Sequence, residues 1–246
     1  NVLALEPNEK VTAAMVVADF SSHNYCMLMT ERGRIKRVSM EEFASVRPSG
    51  LIAMSLDEGD QLGWARLTSG KDEIIIVTEN GQALRFSETK VRSMGRQAAG
   101  VQGIRLAKED AVTSMDVVEK DGALLIVTTK GFGKQTPLTD YTAKGRATRG
   151  ISTIDQKALK AVGKIAAARV VQKADDLTIM PSNGVTLRLK VKDVKKSGRA
   201  TRGVHLIKPQ EGDSVASVAR TSVEDLIKAG AQVGENEIAE AQPKLV

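Results

Sequence analysis

The sequence predicts an all-β, propeller-like array of four-stranded units that repeat about every 50 residues. Glycines recur at two phases of that period, and each phase borders apolar segments of strand length. Few segments hold a 3.6-residue apolar period over ten or more residues, so a helical reading fails.

The first glycine marks a hairpin. It stands in Glu31-Arg32-Gly33, Glu79-Asn80-Gly81, Thr129-Lys130-Gly131 and Ser182-Asn183-Gly184, at spacings of 48, 50 and 53. An apolar run precedes each (Cys26–Met29, Ile74–Val77, Leu124–Val127, Leu177–Met180), and a short segment containing basic residues follows. Asn-Gly at two of the four turns predicts two-residue primed turns, because Asn and Gly tolerate positive φ.

The second glycine follows 17 or 19 residues later, at Gly50, Gly100, Gly150 and Gly203. Another apolar segment comes after it: Leu51–Met54, Val101–Ile104, Ile151–Ile154 and Val204–Ile207. A polar turn then leads to a further strand, expected at Val11–Val17, Leu62–Leu67, Val112–Val118, Val162–Val171 and Val215–Ala219. The result is four strands per unit, four complete units and a partial unit at each end. Asn1–Leu5 matches the last strand of a preceding unit, and a start at Asn1 without Met reads as an excised fragment. Residues 1–220 are expected to form the repeat domain and 221–246 an acidic, flexible tail.

Composition narrows the function. Hydrophobic residues at 41% and charged residues at 27% of 246 are globular proportions. Aromatics are only 3%, so the core falls to Val, Ile, Leu, Ala and Met, and a stacking platform for single-stranded bases is disfavoured. Apolar runs reach about five residues, far short of a membrane span, and nothing resembles a signal peptide. The one cysteine, Cys26, lies in an apolar run and reads as a buried thiol in a cytoplasmic protein.

The net charge of +6 is uneven. Thr221–Val246 holds five acids and two bases, a net of −3, which leaves +9 on the body. A basic body points to an anionic partner.

Catalytic constellations are missing. One Cys and two His (His23, His205), set in different repeats, do not make a transition-metal site. Neither G-x-S-x-G nor a phosphate loop occurs, and the acids Asp57, Glu58 and Asp60 read as solvated turn residues. The chain is expected to be non-enzymatic and to need no cofactor.

The telling charge lies between the two glycines of each unit. Thr89–Arg105 carries Lys90, Arg92, Arg96 and Arg105 with no acid; Tyr141–Gly150 carries Lys144, Arg146 and Arg149, also acid-free. Lys195–Lys208 carries Lys195, Lys196, Arg199, Arg202 and Lys208, and again no acid. The hexapeptide Gly-Arg-Ala-Thr-Arg-Gly occurs at both Gly145–Gly150 and Gly198–Gly203. In the first unit Glu41 and Glu42 precede Arg47, so that loop is poorer. Three basic loops at one phase of a repeat predict a basic rim. Such a rim suits the backbone of a bent duplex, with contacts from Lys90, Arg92, Arg96, Lys144, Arg146, Arg149, Lys195, Lys196, Arg199 and Arg202.

Three stretches carry a family resemblance: Asn1–Pro7, Gly95-Arg96-Gln97-Ala98-Ala99-Gly100-Val101-Gln102-Gly103-Ile104-Arg105-Leu106, and Gly145–Gly150. Over roughly Asn1–Arg220 the chain resembles the C-terminal domain of the bacterial DNA gyrase A protein. That resemblance implies a β-pinwheel whose blades exchange strands and whose perimeter wraps double-stranded DNA. It also implies partnership with the rest of gyrase A and, through it, gyrase B, in ATP-driven negative supercoiling. The isolated chain is expected to be monomeric, with no membrane partner. The family's gyrase box, Q-R-R-G-G-x-G, is nowhere in this sequence, so weaker DNA binding rather than full wrapping is expected of this chain alone. Tyr25, expected in a strand, and Tyr141, expected in a rim loop, are not the family's catalytic tyrosine, which lies in another domain. The alternatives are the matching domain of topoisomerase IV and, in another class, a propeller-like scaffold for an acidic protein.

Overall fold

The computed structural model describes residues 5, 9–17, 24–45 and 50–228. His23, Arg47, most of the Asn1–Leu5 segment and the tail beyond Lys228 lie outside them. The first two units contain β1 (Tyr25–Thr30), β2 (Arg34–Ser39), β3 (Leu62–Thr68), β4 (Glu73–Thr78), β5 (Gln82–Ser87), β6 (Val101–Gln102) and β7 (Val112–Val117). The third has β8 (Ala123–Thr128), β9 (Phe132–Pro137), β10 (Ile151–Ser152), the short helix α1 (Leu159–Val162) and β11 (Ile165–Val171). The fourth has β12 (Asp176–Pro181), β13 (Leu187–Lys190), β14 (Val204–His205) and β15 (Val215–Thr221), followed by α2 (Val223–Lys228).

These strands form four antiparallel sheets, ordered β3-β1-β2-β6, β10-β5-β4-β7, β11-β8-β9-β14 and β13-β12-β15. Each sheet is a blade centred on one hairpin. The two-residue strand after the second glycine crosses to the blade before its own. Val101 pairs with Ile35, Ile151 with Ala83, and Val204 with Gly133. The amide three residues past that glycine completes the dock: Gly103, Thr153 and Leu206 donate to the carbonyls of Gly33, Gly81 and Gly131 at 2.8, 2.9 and 2.9 Å. The exchange places the chain backbone where a side chain cannot fit. A Cβ on Gly150 would lie 2.4 Å from the Ala83 carbonyl oxygen, and the residue sits at φ +74.

The central strands are buried on both faces, which explains why Ile74–Val77 and Leu124–Val127 show no polar alternation. Successive residues enter successive cores. Ile74 and Ile76 pack with Met27 and Met29 between the first two blades. Ile75 and Val77 pack with Leu124 and Ile126 in the next core, and Leu125 and Val127 with Leu177 and Ile179 in the one after. Each such aliphatic side chain contributes roughly 2–3 kcal/mol of apolar burial, so the array is stabilised blade against blade.

Several expectations are corrected. The hairpins are not two-residue primed turns, since neither Asn80 nor Asn183 has positive φ. In the first three, Gly33, Gly81 and Gly131 take φ of 88, 81 and 78, and their amides donate to Thr30, Thr78 and Thr128. The next amide donates to the same threonine's Oγ1, at 3.0, 3.1 and 3.2 Å, so this buried hydroxyl completes the loop. Val11–Val17 and Leu51–Met54 carry no strand. Their equivalents pair with the hairpin of the preceding unit, and no such hairpin precedes them among the described residues. Tyr141 is not a rim-loop residue: it is buried, and its hydroxyl is hydrogen-bonded to Thr153 Oγ1. Cys26 is buried as expected, and burial pushes its thiol up to about 12.

Candidate nucleic-acid interface

After each hairpin the chain makes a single 3-10 turn (Met40–Phe43, Glu88–Lys90, Leu138–Asp140, Val191–Asp193) and enters the loop that carries the basic residues. In the last three units the loop docks on the blade before it through one recurring bond. The amides of Met94, Lys144 and Ser197 donate to the carbonyls of Arg37, Arg85 and Gln135, at 2.9, 2.8 and 2.9 Å. Consecutive loops are also bonded to one another. Ala147 N–H donates to Gly103 at 2.6 Å, Arg105 N–H to Thr148 at 2.9 Å, and Asp155 N–H to Thr201 at 3.3 Å. The predicted rim is therefore one belt of backbone passing over three blade junctions.

The ten cations expected on this belt fall into two sets. Lys90, Arg92, Lys144, Arg149, Lys195, Lys196 and Arg202 are exposed, and their side chains have no hydrogen bond or ion pair among the described residues. Their charge is available to an outside anion.

Arg96, Arg146 and Arg199 are half-buried and engaged. Each Nη1 donates to the carbonyl two residues past the preceding second glycine: Arg96 to Ile52 at 3.3 Å, Arg146 to Gln102 at 3.1 Å, Arg199 to Ser152 at 3.2 Å. Arg146 Nε adds a bond to Lys90 O at 2.9 Å, and Arg96 Nε lies 3.8 Å from Glu42. These arginines clasp adjoining segments of the belt.

The acids of the polar turns have a structural role rather than mere solvation. Asp60, Asp110 and Asp213 accept from the amides of Arg32, Asn80 and Asn183, at 3.0, 3.0 and 3.2 Å, and so cap the hairpins. These three carboxylates are thereby engaged at the hairpin turns.

The family model for the DNA gyrase C-terminal domain, a beta-propeller, matches residues 24–69, 72–119, 123–172 and 175–222, one match per blade. The chain belongs to the DNA gyrase C-terminal domain family. It is 36% identical over 227 residues to the DNA gyrase A protein of Mycolicibacterium smegmatis, covering 92% of this chain and 27% of that protein. To the DNA gyrase A protein of Escherichia coli (strain K12) it is 36% identical over 245 residues, covering 97% of this chain and 28% of that protein. The chain thus spans little more than a quarter of these relatives.

Among solved structures, the C-terminal domain of DNA topoisomerase IV matches with a TM-score of 0.83 and 28% identity over 92% of this chain and 71% of that one. The DNA gyrase A C-terminal domain matches with a TM-score of 0.81 and 24% identity, over 89% and 73% of the two chains. The exchanged strands β6, β10 and β14 agree with the pinwheel that the resemblance implied.

Two buried cations escaped sequence reasoning. Lys36 and Lys134 were legible only as basic residues after a hairpin, yet both are fully buried beneath the belt. The available signal was their position, three residues past Gly33 and Gly131, where the second and fourth units carry Leu84 and Leu187.

Proposed function

We propose that this chain is a non-catalytic DNA-wrapping module of gyrase A, holding a duplex by its phosphates along the basic belt. The observation that carries this reading is the set of seven exposed cations, without partners among the described residues, on three loops bonded end to end. Repetition at one phase of a curved array presents charge along a path, and a bent duplex presents phosphate along a path. Arg and Lys beside exposed Gly and Thr backbone supply both charge and donors for that contact. No base-reading element is needed, so binding tracks charge and DNA deformability rather than sequence.

In the whole protein the module works in the cytoplasm. It bends a DNA segment and presents it to the rest of gyrase A and, through it, to gyrase B for ATP-dependent negative supercoiling. The regular glycine framework and the gyrase A relatives favour this over the topoisomerase IV counterpart. The isolated chain, lacking the gyrase box, is a monomer that binds without completing the wrap.

The acidic tail weakens binding by competing with phosphate for the belt. Thr221 ends β15 and Val223 is buried, so the test removes only the residues after α2. Deleting 229–246 removes three acids and one base and should raise duplex affinity.

The test is binding of the 246-residue chain to a labelled duplex of about 40 base pairs and to its separate strands across a salt series. Duplex binding whose logarithm falls linearly with log salt, with a slope equivalent to several phosphates, supports the reading. Weak, salt-independent binding overturns it and favours an acidic protein as the partner of the belt.

A further inference from the structure

Lys36 and Lys134 hold the same place in the first and third blades, with 0% and 1% of their surface exposed. Neither ammonium has a carboxylate partner within ion-pair distance among the described residues. Each donates instead to two main-chain carbonyls of the belt loop that the next unit contributes, and to a third acceptor. Lys134 Nζ donates to Gly198 O at 2.7 Å, to Arg199 O at 2.6 Å and to Thr201 Oγ1 at 3.1 Å. Lys36 Nζ donates to Arg96 O, to Ala98 O at 3.0 Å and to Ala53 O at 2.8 Å. The second blade places Leu84 at this position. The loop above it turns through Ala147 at φ 62 and is held by backbone bonds and by the Arg146 clasp, with no ammonium beneath it.

A buried ammonium without acceptors is strongly destabilising. Three acceptors match its three donors, so one loop shape satisfies the charge and other shapes leave it bare.

We infer that Lys36 and Lys134 are positioning residues of the belt, each fixing from below the loop that presents its cations outward, while the loop above Leu84 has no such dependence. This rests on the belt being the duplex-binding surface. The groups around each lysine agree with the geometry. Burial and Arg199 lower the Lys134 pKa to about 8 while Asp140 opposes them. Burial and Arg96 lower that of Lys36, against Glu42 and Cys26.

Lys134→Met keeps the length and apolar stem but removes the charge and the donors. Hydrogen exchange and duplex binding of the full 246-residue chain test it together. Exchange across 195–203 should rise tenfold or more, with β8, β9 and loop 144–150 unchanged. Duplex affinity should fall roughly tenfold, and the salt slope should drop by about two as Lys195 and Lys196 release their phosphates. Unchanged exchange in 195–203 overturns the proposal whatever the binding does. Faster exchange with unchanged affinity also overturns it. The double variant Lys195→Ala/Lys196→Ala then separates the two failures: weakened binding there keeps the belt as the duplex site, and unaltered affinity removes that reading as well. Lys36→Met is the independent repeat, with loosening expected only around 94–100. Global loss of protection in both variants would mean that the lysines hold the fold rather than the loops, and overturns the proposal.

Discussion

Arg146 donates from Nη1 to the carbonyl of Gln102, 3.1 Å away and 44 residues earlier in the chain. Gln102 sits in β6, which has crossed into the first blade, while Arg146 rides on a loop docked to the second. One side chain therefore ties the belt across a blade junction. Three residues later, Arg149 carries the same charge with no partner among the described residues.

Replacing these two arginines should separate stability from binding. Arg146→Ala is expected to cost about 1–2 kcal/mol of folding stability, because it breaks charged hydrogen bonds to backbone, and to weaken duplex binding as well. Arg149→Ala should leave the urea midpoint unchanged and weaken binding equally on unrelated DNA sequences. A shift in base preference in either variant would contradict backbone reading.

The belt's free charge should be countable. Lys195→Ala/Lys196→Ala should lower the slope of log affinity against log salt by about 2, at roughly 0.9 for each phosphate no longer neutralised. The same change in Lys192, exposed but outside the predicted belt set, should move the slope less.

Two glycines five residues apart should respond oppositely to alanine. Gly150→Ala puts a Cβ 2.4 Å from Ala83 O in a left-handed conformation, and should cost roughly 2–4 kcal/mol. Gly145→Ala meets nothing within 4 Å and should stay within about 0.5 kcal/mol in urea unfolding.

Lys134 imposes a pH dependence of definite sign. Its folded pKa, about 8, lies below the ordinary lysine value of 10.5 that stands for the unfolded chain. Above pH 8 the unfolded chain therefore binds more protons, and stability rises with pH through this group. Relative to Lys134→Met, the unsubstituted chain should gain up to about 1.4 kcal/mol per pH unit between roughly pH 8 and 9.5. A difference in urea midpoint that stays flat over this range would mean the buried amine titrates normally.

Much of this architecture was legible in the residues themselves. The double glycine period located all four hairpins, and the turn at Glu79-Asn80-Gly81 was placed correctly even though its geometry was not. The Asn-Gly pair suggested positive φ at Asn80, whereas the Thr78 hydroxyl supports a longer loop with only Gly81 left-handed. A side chain four residues from the amide it serves leaves no periodic trace. The basic phase was legible too, because three acid-free segments at equivalent positions need no coordinates to be noticed.

The amino-acid order alone settles the class, the period and the place of the positive charge, since these depend on local turn chemistry and on the side chains a strand can bury. The tertiary structure decides which blade each short strand joins. The exchange of β6, β10 and β14 is a close approach of backbone to backbone, marked in the sequence only by the glycine that makes room for it. It also decides which cations remain free. Arg146 and Arg149 stand in one hexapeptide with the same charge, and only a carbonyl delivered from another unit makes one a clasp and leaves the other for phosphate.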